Sequence, residues 1–273
     1  YNRLSEASQI TGVDDGNGGK VINIVTKGSL SHSEFGKMHA SGGLGSDRTP
    51  VSSQTGQYFD KLKGRYSAGG ALNIFRGSTR IAIMALANNL NKQNFSADDM
   101  KIARSSNSNN ASQNYSVGAQ SGVGESQILG FNITDKLGPR KNFLIDATAF
   151  FNHTNAKNRY HYQRWYTAPL KIDTLYMLSF ANPDNYTTRL RSRMEWRINS
   201  RHRMVFIPNL QYRDNSSVNI ANGLRWGEQG WRFQPSGNDG WWKGINASLY
   251  GQYRMTFKKP VRLLVVDFSG GYY

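Results

Sequence analysis

Ile245-Asn246-Ala247-Ser248-Leu249-Tyr250-Gly251-Gln252-Tyr253-Arg254-Met255-Thr256-Phe257 changes polarity at every step. Ile245, Ala247, Leu249, Gly251, Tyr253, Met255 and Phe257 share one side, while Asn246, Ser248, Tyr250, Gln252, Arg254 and Thr256 share the other. A period of two marks a β-strand with one oily face and one wet face. The run outlasts the roughly 5–6 residues of an ordinary globular strand and suits the roughly 9–11 that a tilted strand needs to cross a bilayer. Residues 186–198 repeat the pattern: Tyr186, Thr188, Leu190, Ser192, Met194, Trp196 and Ile198 stand against Thr187, Arg189, Arg191, Arg193, Glu195 and Arg197. Four arginines on one strand face are out of place in a soluble sandwich. They suit the wall of a water-filled barrel.

Working outward, the pattern predicts strands over 35–45, 66–75, 79–90, 127–135, 142–155, 186–198, 203–213, 245–257 and 262–273. Several repeat the two-faced pattern. Met204, Phe206, Pro208, Leu210 and Tyr212 oppose Val205, Ile207, Asn209 and Gln211; Phe143, Ile145, Ala147, Ala149 and Phe151 oppose Asp146, Thr148 and Asn152; Leu129, Phe131 and Ile133 oppose Gly130, Asn132 and Thr134. In 81–86 and 263–266 both faces are apolar, which predicts packing against an internal plug or an ordinary core. The connections alternate: 76–78, 136–141, 199–202 and 258–261 are short and rich in turn residues, whereas 46–65, 91–126, 156–185 and 214–244 are long. Short turns at one end and long loops at the other are the signature of an all-β, antiparallel outer-membrane barrel. Tyr66, Tyr186, Trp196, Tyr212, Tyr253, Tyr272 and Tyr273 near strand ends suit an aromatic girdle. Nine strands is an odd number and the last runs to Tyr273, so closure predicts a larger polypeptide.

Composition fits this architecture. The chain has 273 residues, 38% hydrophobic, with no cysteine, and no apolar run approaches the roughly 20 residues of a membrane helix. A mean hydropathy of −0.61 is compatible with a barrel, because only alternate side chains meet lipid. Lack of cysteine suits passage through an oxidising periplasm. No leader is visible at Tyr1, so export implies a start upstream. The net charge of +16 and pI near 10.0 first suggest nucleic acid. However, the basic residues are spread along the chain without a recognition-helix pattern, so no nucleic-acid partner is expected. An anionic lipid surface, or an anionic solute passing a lumen, accounts for the charge as well.

Gly18-Gly19-Lys20-Val21-Ile22-Asn23-Ile24-Val25-Thr26-Lys27 resembles the closing strand of the plug domain in TonB-dependent outer-membrane transporters. Tyr66-Ser67-Ala68-Gly69-Gly70-Ala71-Leu72-Asn73-Ile74-Phe75, Ala87-Asn88-Asn89-Leu90-Asn91-Lys92-Gln93-Asn94-Phe95 and Phe150-Phe151-Asn152-His153-Thr154-Asn155 are similar to the Bacteroidota branch of that family. The resemblance covers about 18–155. It implies a 22-stranded barrel around an N-terminal plug, with 1–30 as the plug's tail and 31–273 as the first part of the barrel. It also implies energy from the inner-membrane proton gradient, delivered by a TonB partner gripping a segment upstream of the plug. Further expected partners are outer-membrane lipid and lipopolysaccharide, with a surface lipoprotein as a possible companion.

No enzyme constellation emerges, and neither cofactor nor metal is expected. His32, His39, His153, His161 and His202 lack metal-ligand spacing. Asp14-Asp15 and Asp98-Asp99 lack the alternating oxygen ligands of a calcium loop and suit solvated turns. Gly16-Asn17-Gly18-Gly19 has no P-loop Lys-Ser/Thr after it and suits a turn into a strand. Arg189, Arg191, Arg193 and Arg197 predict either an electropositive stripe for anionic solutes or, the plainer alternative, clamps on plug carboxylates and carbonyls. Trp226, Trp231, Trp241 and Trp242, with Phe233, predict either contact with an extracellular ligand or partner, or self-packing with Trp241 and Trp242 in the upper girdle. Trp165, among Tyr160, Tyr162 and Tyr166, carries the same ambiguity, and 105–116, rich in Ser and Asn, reads as a mobile extracellular loop. The function expected is import of a bulky nutrient (a chelate, oligosaccharide or peptide) across a bacterial outer membrane. The alternatives are a barrel that does not pump and serves as adhesin or envelope component, and a soluble β-rich binding module.

Overall fold

The computed structural model describes residues 2–3, 19–20, 32–50, 58–96, 117, 123–168, 171–227, 229–258 and 262–272. The described residues contain no helix. A small antiparallel pair joins β1 (Asn2–Arg3) to β2 (Gly19–Lys20). All other strands form one nine-stranded antiparallel meander in chain order: β3 (His32–Pro50), β4 (Tyr58–Arg76), β5 (Thr79–Asn88), β6 (Val123–Leu137), β7 (Phe143–Ala168), β8 (Lys171–Arg197), β9 (His202–Gly227), β10 (Gly230–Thr256) and β11 (Leu263–Tyr272). The sheet is open, with β3 and β11 as its edges. Each predicted strand has its counterpart. Most of the plug-like stretch 18–27 lies outside the described residues.

Three of the four expected long loops are largely strand. β3 and β4 extend to Pro50 and Tyr58, β7 and β8 stop only at Ala168 and Lys171, and β9 and β10 meet at Gly227 and Gly230. The four strands β7 to β10 are therefore 26, 27, 26 and 27 residues long. At about 3.3 Å per residue they run some 85 Å, far beyond any bilayer requirement. Prolines explain why the sequence hides this. Pro183 lacks a backbone N–H, and the β7–β8 ladder skips Ala156–Lys157 opposite it; Pro208 leaves the same gap at Ser192–Arg193 in the β8–β9 ladder. The register is unchanged on both sides of each gap. Gly77, Gly138 and Gly230 supply the positive φ of the turns, at 60°, 89° and 83°.

Continuous register lets faces be followed from strand to strand. One row reads Asn73, Ala82, Asn132, Thr148, Arg191, Asn209 and Ser248. The row beside it on the opposite face reads Leu72, Ile83, Phe131, Ala149, Leu190, Leu210 and Ala247. The polar face is the covered one: Ser67, Asn73, Asn88, Ser126, Asn132 and Asn152 are all at most 2% exposed. Leu129, Leu190, Leu210, Leu249, Phe268 and Tyr272, on the apolar face, are exposed. On β8, β9 and β10 this apolar band carries no charged side chain between Tyr186, Tyr212 and Ile245 at one end and Trp196, Met204 and Tyr253 at the other. Gly251 sits within it because the Phe268 ring lies where a Cβ would be and meets Phe206 edge-on at 6.1 Å.

Among the described residues, the apolar cluster of buried side chains lies on the polar face, formed by Ala71, Ala82, Met84, Leu86, Ile128 and Phe150. Phe95, from the connection after β5, covers it and is 4% exposed. This explains why 81–86 is apolar on both faces. Asn88 folds the connection back: its Oδ1 accepts from the N–H groups of Leu90 and Lys92, and its Nδ2 donates to the Lys92 carbonyl. Asn152 donates to the Gln93 carbonyl at 3.4 Å, and Asn94 exchanges two hydrogen bonds with the Val117 backbone.

Candidate functional site

Arg189, Arg191, Arg193 and Arg197 project from the polar face of β8, as the alternation requires. They divide into two chemical settings. Toward the short-turn end, Glu195 is buried and accepts from Arg197 Nε at 2.9 Å and from Arg203 Nη2 at 2.7 Å. One carboxylate thus serves two guanidiniums from neighbouring strands of the wall itself.

Toward the other end, Arg189 lies over the Phe150 ring at 5.6 Å and beside Gln211. Gln211, with its amide oxygen turned to the cations, accepts from Arg189 Nε at 2.9 Å and from Arg213 Nε and Nη2 at 2.9 Å each. Two guanidiniums therefore converge on one neutral acceptor. The acids nearest in sequence point to the opposite face, where Asp184 meets His153 at 2.8 Å and Asp214 meets Lys243 at 3.2 Å. Hydrogen bonding and charge attraction from Asp214 hold the Lys243 ammonium above its ordinary pKa. The His153 ring stacks on Tyr186 at 4.0 Å, so these polar pairs sit at the boundary of the apolar band.

Trp226 and Trp231 are register partners, with ring centroids 5.3 Å apart, and Tyr176 joins Trp231 at 5.9 Å. The two tryptophans lie far along the projecting ribbon, beyond the apolar band, and remain exposed. Trp165 is exposed on β7, and Trp241 is the most open of the six tryptophans at 76%. Trp241 and Trp242 do not share a face. Trp241 follows the apolar parity just past Tyr212, whereas Trp242 takes the polar parity, its ring over Gly244, the register partner of Arg213. Sequence reasoning missed Arg203, Gln211, Arg213 and the orientation of Trp242. The signal available was the tight 199–202 turn, which fixes the β8–β9 register and places odd-numbered β9 residues beside odd-numbered β8 residues.

Comparison with known proteins adds no relative: no protein-family model and no curated protein matches the chain.

Proposed function

We infer that this chain is part of an outer-membrane β-barrel, with its apolar face against hydrocarbon and its polar face lining a lumen. The observation that carries this is the inversion of burial. Water-soluble sheets cover their apolar side, whereas here Asn73, Asn88, Asn132 and Asn152 are covered while Leu190, Leu210 and Leu249 are open. The uncharged band on β8 to β10 has the height of roughly 9–11 residues that a tilted strand uses to span hydrocarbon, with Tyr186, Tyr212, Trp196 and Tyr253 at its borders. In this reading β3 and β11 pair with further strands, and the projecting ribbons of β7 to β10 stand outside the cell. Lipid and lipopolysaccharide are then the neighbours of the apolar face.

The particular activity proposed is TonB-dependent import of a bulky nutrient, supported by the plug-like stretch 18–27 and by the cationic wall of β8 and β9. A TonB complex would engage a segment upstream, and a surface lipoprotein would dock on the outer rim. A second reading, a barrel that serves as adhesin or envelope component without pumping, draws on the exposed aromatic ribbon at Trp226, Trp231 and Phe233. The test is fractionation of the full polypeptide from its native cells, followed by uptake measured with and without a protonophore. Resistance to urea extraction and a heat-dependent shift on gels are expected, and uptake should collapse with the proton gradient. Recovery in the soluble fraction would overturn the barrel; gradient-independent behaviour of a membrane-inserted protein would favour the second reading.

A further inference from the structure

We propose that the outward face of the β7–β10 ribbons, centred on Trp226 and Trp231, is a stacking surface for neutral sugar rings of the lipopolysaccharide standing around the barrel. This rests on the barrel reading above. It assigns the surface to a molecule anchored beside the protein, not to a solute passing through it. Register places Trp165, Thr174, Trp226 and Trp231 in one row across the four strands. The row beneath holds Gln163, Tyr176, Leu224 and Phe233. Both rows share the sheet face that carries Leu190, Leu210 and Ala247 in the apolar band. Trp165, Trp226, Trp231 and Phe233 are 65, 45, 57 and 61% exposed, so the aromatic face is open to a partner. Trp231 is held in place between Trp226 and Tyr176, with ring centroids at 5.3 and 5.9 Å.

Height excludes hydrocarbon as the occupant. At about 3.3 Å per residue and a strand tilt near 40°, Trp226 stands roughly 35 Å above Tyr212, more than the thickness of the hydrocarbon core itself. The His153–Asp184 and Lys243–Asp214 pairs lie between the two apolar zones. Charge selects the class of partner. In a chain of net charge +16, neither aromatic row carries Asp, Glu, Lys or Arg, and nor does the row from His161 to Pro235 beneath them. At the same height Arg164, Arg225 and Arg232 take the opposite face by alternation. An acidic polymer would be drawn to that face, whereas the aromatic face suits a neutral one. A pyranose ring presents a C–H face that covers an aromatic ring and a rim of hydroxyls that needs hydrogen-bond partners. Thr174, Gln163 and Asn222 place such partners among the rings. Continuity fixes the source: the lower part of this face meets lipid, and the sugars carried by that leaflet rise alongside the upper part.

The experiment uses the full polypeptide in nonionic detergent and lipopolysaccharide from the same cells, split by mild acid into its polysaccharide and its lipid portion. Calorimetry reads the binding of each. Saturable binding of the polysaccharide is expected, changing less than about twofold as salt is raised about tenfold, because no charge pairing is involved. Combining Trp226→Ala with Trp231→Ala should weaken it about tenfold. Gln234→Ala, beside Phe233 but on the opposite face, should leave it unchanged. Trp226→Phe with Trp231→Phe keeps an aromatic surface and should stay within about threefold of the parent, which separates lost stacking from a lost fold. The proposal is overturned if the polysaccharide does not bind, if only the lipid portion binds, or if the alanine pair binds as well as the parent. Binding that collapses with salt overturns it in favour of the arginines. Self-association that the alanine pair abolishes, seen by sedimentation, overturns it in favour of a second copy of the chain. A protein that fails to insert in membranes sinks the barrel reading; an inserted protein that ignores the polysaccharide sinks this inference alone.

Discussion

Leu249→Arg separates a lipid-facing surface from a water-facing one by magnitude alone. Leu249 lies near the middle of the apolar band on β10, between Ile245 and Tyr253, and is 42% exposed. If that exposed part met water, arginine would extend its head outward while its methylenes kept the covered contacts, and the change would cost about 0.5 kcal/mol or less. If it meets hydrocarbon, a cation at the midplane costs about 2–4 kcal/mol. The two cases differ by more than the error of a denaturant titration. The assay is reversible unfolding of the full polypeptide in phosphocholine vesicles, with Ser248→Arg as companion. Ser248 is the next residue and faces the polar side, so its substitution should stay within about 1 kcal/mol. A Leu249→Arg loss below about 1 kcal/mol, or equal losses in both variants, would refute the assignment of faces.

Three further outcomes follow from the packing. Gly251→Val should cost about 1–3 kcal/mol, because the Phe268 ring already occupies the Cβ position, and Phe268→Ala should relieve most of that loss in a double-mutant cycle; additive losses would contradict the contact. Phe95→Ala should cost about 3 kcal/mol and expose the amides of residues 90–94 to hydrogen exchange, whereas unchanged protection there would show that Phe95 does not anchor the connection. Glu195→Gln should destabilise by about 1–3 kcal/mol, discounted because Arg197 is mostly exposed, and Arg203 should contribute the larger share; a neutral result would mean the guanidiniums hold each other apart without the carboxylate.

The two faces were legible because an alternating strand writes its surroundings into every second residue. Each pair of sets read from 186–198 and 245–257 matches the faces found. Strand ends were not legible. Beyond Asn155 and Arg213 the alternation fades, and Pro183, Pro235, Gly237 and Gly240 imitate a loop, although the β8–β9 ladder runs on through Pro183 and the β9–β10 ladder through the other three. The Arg189–Gln211–Arg213 group depends on register between strands, which single-strand periodicity cannot supply. Phe95 was hidden for another reason: one aromatic in an Asn-rich connection carries no period, and only its fit to the floor formed by Met84, Ile128 and Phe150 reveals its place.

The polar face is chemically lopsided, and in the barrel reading the lopsidedness bears on which solutes it would admit. On β4 to β7 its floor is made of Ala, Met, Leu and Asn side chains already covered by the connection after β5, through Phe95 and the Asn88 and Asn152 hydrogen bonds. On β8 and β9 nothing described lies over the exposed Arg191 or Asn209. In the barrel reading, a solute following the polar face meets a wall covered by that connection on one side and an open, cationic wall on the other. Cations on a low-dielectric wall attract anions over about a Debye length, 8 Å at physiological salt, and repel other cations. The pairing of Glu195 with Arg197 and Arg203 weakens this field toward the short-turn end, so attraction is strongest at the mouth and declines inward. If the chain is part of a conducting barrel as proposed, that gradient favours capture over retention: binding strong enough to enter and weak enough to leave.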